Sequence, residues 1–367
     1  MNNIVVVFGG NSVEHEISII SALQLKNKYK GKYKLTLCYL KNGEFYHVNN
    51  DANLKNFINH SYFRKVKFLA NKNYFKVGLK KIKFDGVLLL CHGMNCEDGT
   101  LYAYFNTLNI NVISEDVYSG VIGQDKILSK KLTSITSLDY LEVNRYVLAN
   151  NLDNIISFAN NKEFPLILKP SKLGSSVGVY VVYTIEDLLD KIDVLLNMCD
   201  SLLIEKKLDN FEEYNIAFLR YNNSLLVSEI EKVGINNVLT YEDKYLNNEK
   251  SMAGQSKQLP AKTTKKLKKE IIDSGKTIYN DLRASGIVRI DFLYDKEDKK
   301  LYFNEINNIP GSLATYLFEK NNIQYNDLID MLIDEGLNQS YVKRNFITSY
   351  SKNILSENDL SNVKLNK

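Results

Sequence analysis

The stretch Ile287-Val-Arg289-Ile-Asp291-Phe-Leu-Tyr294, followed by Asp295-Lys-Glu-Asp-Lys299 and Lys300-Leu-Tyr-Phe-Asn-Glu305-Ile306, reads as a β-hairpin with chemistry on one face. Each arm is apolar and aromatic enough for a strand, and the residues between them form a polar turn. Arg289 and Asp291 are two apart on the first arm, and Glu305 and Asn307 are two apart on the return. Successive side chains alternate across a strand, so each pair shares a face and the hairpin can bring the pairs together. One guanidinium would then stand beside two carboxylates and an amide oxygen. Magnesium favours hard oxygen ligands of this kind, usually one or two carboxylates with substrate phosphates. Asn307-Asn-Ile-Pro-Gly311 turns the chain away and offers backbone N–H groups at the same spot. Taken alone, the pattern also fits a solvated hairpin whose charges happen to alternate. The rest of the chain decides.

At 367 residues the chain is long for one core and suggests two or three domains. Its 44% hydrophobic and 25% charged content is that of an ordinary soluble globular protein. The net charge of +4 is small and calls for no nucleic acid. The basic run Lys262–Lys269 reads as the wet face of a helix. No signal pattern precedes the strand-like Ile4–Phe8, and no apolar run approaches the roughly 18 residues that span a bilayer, so no membrane partner is expected. Cys38, Cys91, Cys96 and Cys199 lack paired zinc spacing, and a reducing cytoplasm is the expected location.

Ile4–Phe8 runs into Gly9-Gly10-Asn11-Ser12, and an apolar helical pattern follows from Glu14-His15-Glu16 through Leu25. Strand, glycine turn and helix form a phosphate- or carboxylate-binding arrangement, because helix-start N–H groups point into the turn. Lys34–Leu40 and Glu44–Val48 read as strands, whereas residues 49–83 have no clear pattern. Phe84–Leu90 is a second apolar strand, ending in Cys91-His92-Gly93-Met94-Asn95-Cys96-Glu97-Asp98-Gly99 before another helix. Ligands bind at strand ends of open parallel sheets, so the two loops can share a crevice. His92 by itself reads as a structural hydrogen-bonding group.

From Ser114 the character changes. Gln124-Asp125-Lys126 opens a helix, and Asn144–Leu148 and Asn151–Ala159 read as strand and helix. Phe164–Lys169 delivers Lys169 into Ser171-Lys172-Leu173-Gly174-Ser175-Ser176-Val177-Gly178, and Val179–Val182 resumes as a strand. Such a loop is a hinged flap of backbone donors suited to covering phosphates. It is not a P-loop, because the lysine precedes the glycines. Ser201–Lys206 is a strand bearing Glu205, Glu213 follows a short break, and Asn215–Tyr221 pairs with Leu225–Ile230. Residues 231–260, with Tyr241-Glu-Asp-Lys244-Tyr245 at their centre, suggest a functional loop over a site. Ala261–Ser285 is a long lysine-rich helix, and beyond Asp334 the chain is polar.

Six segments in order resemble the D-alanine–D-alanine ligase family of the ATP-grasp fold. They are Gly9–Glu16, His92–Gly99, Lys169–Gly178, Lys244-Tyr245, Arg289-Ile-Asp291, and Glu305-Ile-Asn307 through Gly311. The resemblance runs from Ile4 to about Leu332 and implies an α/β fold, α+β in its C-terminal part. Three domains are expected: 1–113 for substrate, 114–200 as the central ATP-grasp unit and 201–340 as the C-terminal unit. A lid would span 231–260 and a polar tail 341–367, with ATP gripped between the central and C-terminal units. Carried over by position, Lys126 and Lys169 would hold ATP phosphates under the Gly174–Gly178 flap. Ser176, Lys206 and Lys244 would join the nucleotide set, with Glu205 near the adenine and Glu213 on the ribose. Asp291, Glu305 and Asn307 would hold two magnesium ions, or manganese in their place. Glu14 would bind the ammonium of the first D-alanine and share a hydrogen-bonded set with Ser175 and Tyr245. His92 would lie against substrate, and Arg289 and the Gly311 N–H would face the developing oxyanion. Tyr316 and Leu317 would meet the carboxylate of the second D-alanine. The family is commonly dimeric, which makes a homodimer the expected state.

The chain departs from the family pattern in four places. Asn95 and Cys96 replace glycines, which would leave Cys96 exposed enough to oxidise. Leu239 and Thr240 replace an aromatic and an aspartate. Ser312-Leu-Ala-Thr-Tyr316 stands where a threonine- and serine-rich turn is usual, with Tyr316 on a serine position. About thirty polar residues trail the expected end. The resemblance implies an ATP-dependent ligase joining two D-alanines. The alternatives are the same fold with another acceptor, such as D-serine, or an ATP-binding protein without activity. Tyr245 argues against a hydroxy-acid acceptor, since the D-lactate-using relatives carry histidine there.

Overall fold

β1 (Asn3–Gly9) is buried on both faces, with Ile4 to Phe8 all at 0% exposure, as befits the centre of a parallel sheet. The structure is a computed structural model that describes residues 2–49, 51–58, 63–146, 151–234 and 257–346. After α1 (His15–Lys28) come β2 (Lys34–Lys41), β3 (Glu44–His47), α2 (Leu54–Ile58) and β4 (Arg64–Val66). β5 (Tyr74–Val77), β6 (Lys80–Lys83), β7 (Gly86–Leu89), α3 (Thr100–Thr107) and β8 (Val112–Ile113) complete the first unit. The sheet order is β4-β3-β2-β1-β7-β8, with β5 and β6 as a separate hairpin. The stretch that lacked a sequence pattern is therefore built from short strands. Phe68, Phe75 and Phe84 anchor them edge-to-face and tilted against one another, and Phe68 reaches Phe45 and Phe105.

α4 (Val117–Gln124) and α5 (Lys126–Leu132) lead to β9 (Tyr140–Asn144), α6 (Leu152–Lys162), β10 (Leu166–Pro170), β11 (Tyr180–Val182), α7 (Ile185–Leu196) and β12 (Ser201–Lys206). These strands form an antiparallel sheet of order β11-β10-β12-β9. Two expectations shift here. The strand near residue 144 ends at Asn144 rather than beginning there, because β9 pairs residue for residue with β12. Ser201–Lys206 also lies past the boundary expected at residue 200, yet it is hydrogen-bonded between β9 and β10.

β13 (Phe211–Tyr221), β14 (Ser224–Val227), β15 (Glu231–Val233), α8 (Lys265–Asp281), β16 (Ile287–Asp295) and β17 (Lys300–Asn307) form the third sheet and its helix. Ile271, Ile278 and Tyr279 of α8 are fully buried against it. The stretch expected as a loop from residue 231 begins as strand, because Glu231–Val233 pairs with β13 and Lys232 bridges to Gln258. Tyr241, Lys244 and Tyr245 lie outside the described residues. A 3₁₀ turn (Gly311–Ala314), α9 (Thr315–Glu319) and α10 (Tyr325–Arg344) then return to the first unit. The tail expected from residue 341 is in part helix, since α10 packs along β8 and the Ser340 hydroxyl bonds both backbone groups of Val112. Among the described residues no helix is long and apolar enough to cross a membrane.

Candidate active site

β16 and β17 pair antiparallel with Arg289 opposite Asn307 and Asp291 opposite Glu305, so the four side chains share one face as the alternation requires. A register shift follows Asp291. Arg289 forks onto Asp291, with Nε to Oδ1 and Nη2 to Oδ2 both at 2.7 Å, and Asn307 Nδ2 donates to Oδ2 at 3.1 Å. The bidentate fork fixes the guanidinium plane as well as its charge. Glu305 Oε2 lies 3.4 Å from Lys126 Nζ. Among the described residues no group of three or more His, Cys, Asp or Glu is gathered for a metal. Two facing carboxylates and an amide oxygen are nonetheless a hard-oxygen set, and their chemistry fits magnesium.

Next to this face a cleft opens between the second and third sheets. Leu138, Ile167, Leu208, Phe211 and Leu293 make an apolar slot, with Lys206 and Glu213 at its rim and Lys126, Lys169 and Glu305 at its polar end. Asp125 caps α5 through the N–H of Ile127 and Leu128, which aims Lys126 inward, and Lys126 Nζ donates to Leu173 O at 2.8 Å. Lys169 Nζ reaches Asn304 Oδ1 at 3.2 Å, and Lys206 Nζ donates to Glu163 O at 3.2 Å. The flap covers the polar end, with Ser175 and Ser176 at φ 53° and 60° and Gly178 at 74°. Free space in the cleft is about 130 Å³, below the roughly 300–1,000 Å³ usual for ligand pockets. In this arrangement the flap leaves no room in the cleft for a ligand of ordinary size.

Glu205 departs from its expected place. It does not line the cleft but is fully buried, with Lys169 Nζ 2.6 Å and Lys130 Nζ 3.1 Å from its two oxygens. Glu205 is paired with Ile167 of β10 and so shares the sheet face of Ile167 and Lys169, which line the cleft, but Lys130 and Lys169 cover it there. Burial alone would raise its carboxyl, but the two ammonium groups hold it down at about 2. Burial pulls Lys130 below its ordinary value while Glu205 opposes the shift. With two cations around one anion, the carboxylate has the clearer gain. Lys130, missed in the sequence, was signalled by its spacing: four residues after Lys126, it shares that helix face.

At the other side of the flap, Ser175 Oγ donates to Glu14 Oε1 at 2.5 Å. A Cβ on Gly174 would come within 2.6 Å of the same carboxylate, and one on Gly93 within 3.0 Å. Glu14 is thus enclosed by backbone that only glycine allows to approach so closely. His92 is buried, its Nε2 3.1 Å from Ser21 Oγ, and burial lowers its pKa, so the neutral ring links the loop to α1 rather than lining a binding cleft. Cys96, expected to be open to oxidation, is 1% exposed, and its Sγ fills the space above Gly10. Two further residues escaped the sequence reading. Glu97 accepts from Gly93 N and Ile309 N, both at 2.7 Å, and burial followed by Glu14 repulsion raises its pKa to about 8. Asn308 Nδ2 donates to Ser119 O and Gly120 O at 3.3 Å and Glu97 O at 3.4 Å. Together they lock the loop beside Glu14 to the turn beside Asn307.

Gly311 is exposed, and a Cβ there would meet nothing within 4 Å. The next three residues, Ser312, Leu313 and Ala314, have φ of 51°, 54° and 45°. Left-handed backbone costs roughly 1–2 kcal/mol per residue, and here it is held by Ser312 contacts to Ser21 and Gln24 of α1. Tyr316 donates to Glu231 Oε2 at 2.7 Å, and Lys257 Nζ lies over its ring, 5.7 Å from the centroid. Leu317, expected against substrate, is instead 0% exposed in the core shared by α9, α10 and the first sheet. Its helical position turns the side chain inward.

Residues 3–114 match the family model described as the D-ala D-ala ligase N-terminus, and residues 130–334 the one described as its C-terminus. A D-alanine–D-alanine ligase of Campylobacter jejuni is 34% identical over 338 residues, covering 89% of this chain and 92% of the relative. Another, from Thermosipho melanesiensis, is 32% identical over 365 residues, covering 97% and 98%. The solved D-alanine–D-alanine ligase of Helicobacter pylori has a TM-score of 0.72 at 30% identity, covering 93% of this chain and 98% of that one. The VanG D-Ala:D-Ser ligase of Enterococcus faecalis has a TM-score of 0.75 at 26% identity, covering 91% and 99%.

Proposed function

We infer the roles of individual side chains from one premise: the chain belongs to the D-alanine–D-alanine ligase family. The protein is an ATP-dependent ligase that joins two D-alanines, with an ATP-grasp architecture. The observation that best supports the residue assignment is the enclosure of Glu14 by Gly93, Gly174 and the Ser175 hydroxyl, at the edge of the phosphate flap. A carboxylate held there suits the ammonium of a first amino acid.

In this reading the adenine enters the apolar slot, Glu213 takes the ribose, and Lys126, Lys169 and the flap with Ser176 hold the phosphates. Glu205 acts on the nucleotide only through Lys169. Asp291, Glu305 and Asn307 would hold magnesium, whose charge offsets that of the phosphate oxygens during transfer. The carboxylate of the first D-alanine attacks the γ-phosphorus, and ADP leaves. The amine of the second D-alanine then attacks the acyl carbon of the resulting acyl phosphate, and phosphate leaves. Arg289, fixed in plane by Asp291, faces the oxygen that becomes negative, with the Gly311 N–H as its companion. Closing the flap keeps water from the acyl phosphate.

The test is incubation of the full chain with ATP, magnesium and D-alanine. Stoichiometric ADP and D-alanyl-D-alanine are expected. Turnover only after D-serine or another acceptor is added would overturn the acceptor assignment, and no ADP under any of these conditions would overturn the ligase reading.

A further inference from the structure

Charge is not spread evenly over this chain. Of its 47 basic and 43 acidic side chains, residues 64–83 hold eight basic and no acidic ones, so the remaining 347 residues carry 39 against 43. The eight are Arg64, Lys65, Lys67, Lys72, Lys76, Lys80, Lys81 and Lys83, and every one is exposed. They occupy β4, the hairpin β5–β6 and the segment between. Two acidic groups border the patch: Glu44 pairs with Lys65, and Asp85 accepts from Asn3 N at the hairpin base.

The hairpin is not arranged for its own stability. Lys76 and Lys81 are directly opposite one another in register, a like-charge pairing that weakens a sheet. Lys81 is only partly relieved by lying over the Tyr74 ring, 4.8 Å from its centroid. At the turn, Gly78 has φ 62° and the next residue, Leu79, is fully exposed. Burial and the positive charge of Arg64 and Lys80 both lower His47, so the field reaches the neighbouring strand. The hairpin is nonetheless firmly based, through the buried Phe75 and Phe84 and through Asn3 Nδ2 to Lys83 O at 2.6 Å.

We propose that β4 and the β5–β6 hairpin form a docking surface for an anionic lipid bilayer, with lysines on the headgroups and Leu79 entering the interface. Charge complementarity selects an anionic partner. The apolar tip selects a bilayer over a nucleic acid, which would draw on the lysines and gain nothing from a leucine. The base of the hairpin adjoins the N-terminal ends of β1 and β7, whereas the catalytic loops leave their C-terminal ends. Docking therefore leaves turnover unchanged.

The experiment is co-sedimentation of the full-length protein with phosphatidylcholine vesicles, with and without a third of phosphatidylglycerol. Binding is expected only to the anionic vesicles, weakening as salt is raised. Lys76→Gln/Lys81→Gln should lower it roughly 25-fold, at about five-fold per cation, and Leu79→Ser roughly ten-fold. Ligase turnover should stay at the wild-type level in both variants. Because the lysine variant removes the opposed pair, its melting temperature should equal or exceed the wild-type value. No binding to anionic vesicles at low salt would overturn the proposal. So would tighter binding to duplex RNA with no effect of Leu79→Ser, or a lysine variant that melts earlier.

Discussion

Glu205→Gln separates an anchor from a nucleotide ligand, because the two roles predict opposite signatures. In the native protein the carboxylate is fully buried between Lys130 and Lys169 and is held at about 2 against an ordinary 4.5. At about 1.4 kcal/mol per unit, that difference corresponds to about 3 kcal/mol of folding stability at neutral pH. The same energy seen from the lysines is the penalty for breaking a buried pair by removing one partner, about 3–5 kcal/mol. Lys130 is already depressed by burial and can shed its proton, which favours the lower end. Urea unfolding at neutral pH should therefore show a loss of about 3 kcal/mol. The folded value lies below the unfolded one, so this stabilisation is complete above pH 4.5 and fades as pH falls toward 2. Wild type and variant should converge across that window. The ATP Michaelis constant should rise as well, since Lys169 loses its fixed partner. A variant within about 1 kcal/mol of wild type that fails only in ATP binding would refute this reasoning and return Glu205 to the adenine.

Asp291→Asn or Glu305→Gln should abolish magnesium-dependent turnover while the far-ultraviolet circular dichroism spectrum stays native; near-normal rates would remove them from the metal set. Arg289→Met should lower kcat by about 100- to 1,000-fold, and a change confined to the Michaelis constant would make it a ground-state binding group. Glu97→Gln supplies one acceptor for two backbone donors, so turnover should drop by roughly ten-fold or more. Glu97 has a folded value of about 8, above its ordinary 4.5, so it withdraws stability as pH rises between those values. The variant should gain on wild type across that range in a pH series of melting temperatures, and parallel curves would contradict the assignment. Tyr316→Ser should shift the competition between D-alanine, D-serine and glycine as acceptors; an unchanged preference would put Tyr316 outside the pocket.

The face shared by Arg289, Asp291, Glu305 and Asn307 was legible because strand alternation is a property of consecutive residues and survives any tertiary arrangement. The flap was legible for a similar reason: its glycines and serines mark a local need for positive φ and close approach. The order of the segments carried the family. What lay beyond the sequence were relations between distant segments. Glu97 and Asn308 are 211 residues apart and meet only when the first and third units dock. Glu205 is on the cleft side of its sheet, and whether it lines the cleft or lies covered depends on Lys130 being brought over it, which no local period records. Cys96 and Leu317 have compositions that fit either a surface or a core, and only the elements packed over them decided for the core. Local pattern determines the face a residue shares with its neighbours; the tertiary structure alone determines what covers that face, and so which charges are desolvated and paired.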